Sequence, residues 1–434
     1  MTTNTREIIL ELLLEILEQK KYSHLVMKQV LDKYAYLDKK DRAFIKRIGE
    51  GTIENLIQID YVINLFSKTK VEKMKPVIRT ILRMSVYQIL FMESVPDSAA
   101  CNEGVKLAVR KGFHTLKGFV NGVLRNISRN KEIIVYPDKN KSLSDYLSVT
   151  YSMPVWIVKM WISLYGEEVT ENMLKGLLEE RPVTVRVLEE LSEDEKQAWI
   201  DQVKEAGIQI NPCNKLAYAY HLSNINSVRE VPGFLEGKFM VQDIGSMFVV
   251  EMAHIKEGDT ILDVCAAPGG KSLHAASKLK GNGIVEARDV SEYKTGLILE
   301  NVKRLGYENV SVKVWDATKT DETWIEKADV VIADLPCSGL GVIGRKADIK
   351  YRIKPEDIFE IAILQKKILK TISAYVKKGG TLIYSTCTIS KEENEENRDY
   401  IIKELSFTLE EEKQLLPGIE PSDGFYMARF TRKK

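Results

Sequence analysis

The chain has 434 residues, 44% hydrophobic and 29% charged, with five cysteines and a formal net charge of +1. Such a balance belongs to a globular protein with two or three cores and excludes fibrous and low-complexity classes. No apolar run reaches the ~18–20 residues that span a bilayer. The first residues lack the apolar stretch of a secretory signal, and Cys101, Cys213, Cys265, Cys337 and Cys387 show no C-x-x-C pairing. A cytoplasmic protein without a membrane anchor, disulfide framework or zinc ribbon is therefore expected.

The near-neutral mean conceals an asymmetry, because residues 1–135 hold 23 Lys and Arg against 15 Asp and Glu. Between Glu103 and Glu132 lie Lys106, Arg110, Lys111, Lys117, Arg125, Arg129 and Lys131 with no acidic residue among them. Such a run is either a solvated face or a phosphate-binding surface, and the missing carboxylates favour the latter. Residues 1–130 read as all helix. Ile8, Ile9, Leu12, Leu13, Ile16 and Leu17 recur at helical spacing, as do Ile78, Ile81, Leu82, Val86, Ile89 and Leu90. Pro76 and Pro96 fall where one helix can give way to the next. A helical domain over 1–135 and a linker or helical connection over 136–171, marked by Pro137 and Pro154, are predicted.

Residues 172–235 read as a small α+β module, with an alternating strand at Val183–Val187, a charged helix and a second strand at Ile208–Ile210. From residue 236 to 434 the pattern becomes repeating strand and helix, the mark of a doubly wound parallel sheet. Candidate strands are Thr260–Val264, Gly283–Arg288, Val310–Val314, Val330–Ala333 and Gly380–Ser385. Ligands of such sheets gather beyond the carboxyl ends of the strands.

Chemistry-bearing residues stand at those ends. The first strand runs into Cys265-Ala266-Ala267-Pro268-Gly269-Gly270-Lys271, a small turn through which backbone can approach a ligand closely. It lacks the first glycine of a P-loop, and suits S-adenosylmethionine better than a triphosphate. Asp289, after the second strand, can accept both hydroxyls of a ribose, and Asp316, after the third, can meet an adenine amino group. The fourth strand ends in Asp334-Leu335-Pro336-Cys337-Ser338-Gly339 and the fifth in Ser385-Thr386-Cys387-Thr388. Two thiols at the ends of neighbouring strands can bind metal, form a redox pair or do covalent chemistry. No histidine or further cysteine stands at ligand spacing, so no metal is expected.

The D-x-P-C-S-G and S-T-C-T motifs, with D-V-C-A-A-P-G-G-K upstream, resemble the RNA cytosine-5 methyltransferases of the NOL1/NOP2/Sun family over residues 236–434. The helical N-terminal part resembles the NusB family of RNA-binding proteins, a combination similar to the bacterial members that act on 16S ribosomal RNA. The resemblance implies a Rossmann-like class I methyltransferase domain, S-adenosylmethionine as methyl donor and a monomer acting on 16S ribosomal RNA, at cytosine 967. It further implies that Cys387 adds to carbon 6 of the base, that Cys337 assists release, and that Asp334 meets the N3 and N4 edge. Lys271 is placed to support the site electrostatically. Asp334 also borders the cofactor. Gln242, Asp243 and Ser246 match a segment beside the cleft. Arg181, Arg186, Arg345 and Lys346 are candidate RNA contacts or ordinary solvated cations. Leu335 stands where alanine is usual and is expected to point into the sheet. The same chemistry on transfer RNA, or a non-catalytic ribosome-assembly factor, are the alternatives. A DNA cytosine methyltransferase is disfavoured because its nucleophile stands in the Pro-Cys motif.

Overall fold

The computed structural model describes residues 4–179, 181–225 and 227–434, which divide into two compact units. The first comprises residues up to Leu178 together with Ile343–Arg352. Seven helices, Thr5–Leu17, Ser23–Lys33, Lys39–Glu54, Leu56–Phe66, Pro76–Phe91, Asp97–Arg110 and Lys117–Asn130, surround a core that includes Ile9, Leu13, Ile48, Val62, Leu82 and Leu124. Pro76 opens its helix at the first turn, where its missing N–H costs nothing, and Pro96 caps the next. Beyond the 1–135 helical domain, helices Leu143–Thr150, Val155–Tyr165 and Glu167–Leu178 follow in and just past the stretch read as a linker or helical connection, and group with the same unit.

Residues 343–352, inside the 236–434 stretch expected as the catalytic domain, group with the helical unit. Asp348 accepts hydrogen bonds from the Ser23 amide at 3.1 Å and from its hydroxyl. Lys350 Nζ donates to Glu54 O and Tyr351 Oη to Ile53 O, each at 2.8 Å. These side-chain bonds, invisible to periodicity, tie the segment to the helical unit.

The second unit contains two sheets. The smaller joins β1 (Val183–Val187), β2 (Gln209–Pro212), β3 (Ala219–Ser223) and β4 (Phe239–Val241), antiparallel in the order β2-β3-β1-β4. Helix Glu193–Glu205 starts at Ser192, whose hydroxyl and the Glu195 carboxylate form a reciprocal capping box. Its Trp199 and Val203 pack on Val185, Val187, Leu222 and Phe239. The module thus runs to Val241 rather than 235, because β4 pairs with β1.

The larger sheet holds β5 (Thr260–Asp263), β6 (Ile284–Asp289), β7 (Val310–Val314), β8 (Ala328–Asp334), β9 (Val376–Thr386), β10 (Phe407–Leu415) and β11 (Phe425–Arg432). Their order is β10-β11-β9-β8-β5-β6-β7, parallel from β9 to β7 and antiparallel at β11 and β10. Alternate residues feed two cores. Leu262, Val331, Ala333 and Leu382 face one layer, and Ile261, Val330, Ile332 and Ile383 the other. Burial on both sides explains why these strands read as continuous apolar runs. The chain reverses direction across the sheet between β5 and β8, so a cleft opens at their carboxyl ends.

Candidate active site

The turn after β5 is folded by its own backbone. Ala266 N donates to Arg288 O and Gly269 N to Ala266 O, both at 2.7 Å. Gly269 has φ of +102°, and a Cβ there would lie 3.2 Å from Ile298 Cγ2, so only glycine closes the turn before helix Gly270–Lys278 begins. Asp289 ends β6, buried, with Oδ2 accepting the Ala267 amide at 3.4 Å. Val290, immediately beyond it, is exposed. Asp316 follows β7, where Thr318 N and Oγ1 both bond its Oδ1 and hold its carboxyl below the usual range. A glycine-built turn flanked by the buried Asp289 carboxylate and an exposed apolar side chain fits the nucleoside end of S-adenosylmethionine. The Cys265 thiol is pushed up by burial and then by Asp263, Asp289 and Asp334. Asp263 is fully buried, accepts a bond from Ser272 Oγ at 2.6 Å, and has its carboxyl pushed up to about 7 by desolvation.

Beyond β8 and β9 the two cysteine loops meet. Cys337 Sγ and Cys387 Sγ are 3.3 Å apart. Asp334 Oδ2 accepts from Lys271 Nζ at 2.6 Å and its Oδ1 from Ser385 Oγ at 2.7 Å, so the carboxylate is fixed from both sides. Lys271 is buried, with its ammonium 5.1 Å from the centre of the Phe425 ring. The hydrogen bond with Cys387, burial and nearby negative charge hold the Cys337 thiol well above its ordinary value. Leu335 lies in the sheet core, so the substitution for alanine leaves the loop intact. Gly341 N donates to Cys387 O at 3.0 Å and Gly424 N to Gly341 O at 2.9 Å, joining three loops by backbone alone.

Sequence reasoning brought Lys271, Asp334, Cys337 and Cys387 to one place but missed what supports them: Ser385, Phe425, Gln365 and Glu393. Ser385 was the legible one, standing two residues before Cys387. Gln242 lies in the second unit as a structural residue: it is buried and bonds Arg186 Nε at 3.1 Å and Ser246 Oγ at 3.4 Å. Arg186 is corrected as an RNA contact, being fully buried beneath the small sheet, where it also reaches Ser277 Oγ at 3.4 Å. Arg181 is likewise engaged, donating to Asp423 Oδ1 at 2.8 Å and Ser422 O at 2.7 Å. Within the helical unit, Lys111 is paired with Glu7 and Glu11, Lys106 with Glu103 and Lys131 with Asp97. Arg110, Lys117, Arg125 and Arg129 remain exposed on consecutive helices.

Glu189, Glu251 and His274 lie within metal-ligand reach of one another. Lys278 Nζ, 2.8 Å from Glu189 and 2.7 Å from Glu251, already supplies the positive charge there.

A seven-stranded sheet of this order, with a glycine-built nucleoside cradle at its switch point, defines an S-adenosylmethionine-dependent methyltransferase. Residues 250–431 match the family model described as 16S rRNA methyltransferase RsmB/F, and residues 3–129 match the NusB family. The chain is 35% identical over 450 residues to the probable ribosomal RNA small subunit methyltransferase B of Bacillus subtilis (strain 168), covering 99% of each. It is 32% identical over 404 residues to ribosomal RNA small subunit methyltransferase B of Escherichia coli O17:K52:H18, covering 91% of each. The crystal structure of PH0851 has the same fold, with a TM-score of 0.82, 24% identity and full coverage of both chains. That of NSun6 from Pyrococcus horikoshii with SFG gives 0.60 at 22% identity, over 65% of this chain and 98% of that one. The chain belongs to the ribosomal RNA small subunit methyltransferase B family.

Proposed function

We propose that the protein methylates carbon 5 of a cytosine in 16S ribosomal RNA through a transient bond between Cys387 and carbon 6 of the base. The observation that carries this reading is the pair of thiols 3.3 Å apart beside the Lys271–Asp334 ion pair, at the ends of adjacent strands. Carbon 5 of cytosine is a weak nucleophile, and adding a thiolate at carbon 6 turns it into an enamine carbon. Bound in the cradle, S-adenosylmethionine supplies the methyl group that this carbon takes. Asp334, immobilised by Lys271 and Ser385, hydrogen-bonds the N3 and N4 edge as charge moves onto the ring. Loss of the carbon 5 proton to solvent then leaves its electron pair to re-form the carbon 5–carbon 6 double bond. This expels the Cys387 thiolate and restores the aromatic base, with Cys337, in contact with Cys387, assisting the release. A base inside a helix cannot reach thiol and donor together, so the target is taken out of its stack. The exposed Arg110, Lys117, Arg125 and Arg129 are assigned to the phosphate backbone.

The test is transfer of tritium from labelled S-adenosylmethionine to unmodified 16S RNA and to bulk transfer RNA, followed by nucleoside analysis and mapping of the modified position. Label in 5-methylcytosine of 16S RNA is the expected result. Label in transfer RNA alone overturns the substrate, and label in neither overturns the enzyme reading in favour of an assembly factor.

A further inference from the structure

Glu393 is wholly buried, and no cationic side chain pairs with it among the described residues. It follows Cys387 by six residues, in an acidic stretch that sequence alone reads as solvated surface. A buried carboxyl without a counter-ion is costly unless its oxygens are filled by hydrogen bonds. Here they are filled from the other cysteine loop. Oε1 accepts the Ser338 amide at 2.8 Å and Gln365 Nε2 at 3.3 Å, while Oε2 accepts the Ser338 hydroxyl, and the Ser390 hydroxyl at 3.1 Å. Ser338 is the residue after Cys337. Its hydroxyl also lies 2.6 Å from that of Thr388, the residue after Cys387. Gln365 in turn donates to Pro336 O at 2.8 Å, on the other side of Cys337. Both flanks of Cys337 are therefore fastened, directly or through one amide, to a carboxyl carried on the Cys387 segment. Simple packing would be served by an apolar side chain. A bidentate grip on one serine is served by two oxygens in a plane.

We propose that Glu393 is a positioning residue that clamps the Cys337 loop onto the Cys387 loop, and so governs departure of the methylated base from the enzyme. The inference rests on the reading of the two cysteines given above. Without the clamp, the methyl group is transferred but Cys337 no longer sits beside the carbon–sulfur bond that must break, and the covalent enzyme–RNA complex accumulates. Glutamine keeps the shape and one accepting oxygen, and its amide can donate to the hydroxyls that the lost oxygen accepted from.

The experiment follows one turnover of full-length protein on unmodified 16S RNA, comparing the parent, Glu393→Ala and Glu393→Gln. Three quantities are read: methyl transferred, protein held in a denaturation-resistant complex with RNA, and affinity for S-adenosylmethionine. Glu393→Ala is expected to release product about tenfold more slowly, the loss typical of one charge-assisted hydrogen bond, with cofactor affinity unchanged and Glu393→Gln restoring release. If Glu393→Ala does not fold, Ser338→Ala, which removes only the hydroxyl bonds, gives the same reading. Release at the parent rate, Glu393→Gln as slow as alanine, or an equal fall in cofactor affinity would each overturn the proposal. Cys387→Ala is run alongside. If it still methylates, the reading of the site fails; if it is inactive while Glu393→Ala releases normally, only the clamp fails.

Discussion

Gly341→Ala tests how tightly the catalytic loops are built. A Cβ at Gly341 would stand 2.0 Å from Gly424 O and 2.8 Å from Cys387 O, both backbone atoms that no rotamer change can move aside. Relieving that overlap separates the loops and breaks Gly341 N to Cys387 O and Gly424 N to Gly341 O. Overpacking costs about 1–3 kcal/mol and each lost backbone bond about 1 kcal/mol, so the variant is expected to lose roughly 3–5 kcal/mol. Any shift of about 1 Å in Cys387 costs methyl transfer a further ~100-fold. Gly296→Ala is the control. It lies on helix Glu292–Leu305 with nothing within 4 Å of an added Cβ, and should gain up to about 1 kcal/mol. Urea unfolding and single-turnover methylation measure both. Parent-like stability and rate in Gly341→Ala would refute the account of the loop junction.

Lys271→Met is expected to lower methyl transfer by ~100-fold through release of Asp334, with RNA affinity unchanged by filter binding. Replacing Arg110, Lys117, Arg125 and Arg129 by glutamine should weaken RNA binding and flatten its salt dependence by nearly one logarithmic unit per side chain that contacts phosphate. Arg186→Gln should instead lower stability and leave that slope untouched. Lys350 is buried, and desolvation lowers its ammonium to about 7. Because its unfolded pKa is higher, the unfolded chain binds more protons between pH 7 and about 10.4, so stability rises with pH across that window. Lys350→Met should stabilise the protein at pH 7 and flatten that rise, as read by unfolding at several pH values.

Legibility followed the physics of each element. Doubly buried strands such as Val330–Ala333 announced themselves because both faces are apolar, and Cys337 and Cys387 because thiols are rare at strand ends. By contrast, β10 went unread. Its Glu410–Glu412 run suits an exposed edge strand, where charge discourages further pairing, and looks in sequence like any solvated segment. Arg186 misled for the opposite reason. An arginine alternating with valines looks like a solvent-facing strand position, yet that face is covered and the guanidinium is satisfied in part by Gln242 and Ser277. Glu393 and the 343–352 segment were hidden because their partners lie far along the chain.

The measurement that bears most directly on the central claim is made with Cys337→Ala. Incubated with unmodified 16S RNA and S-adenosylmethionine, it should accumulate a complex that survives denaturing gels. Proteolysis, nuclease digestion and mass spectrometry should then find the nucleotide on Cys387. A nucleotide on any other residue, or product formed at the parent rate with no trapped complex, would contradict the assignment of nucleophile and release residue.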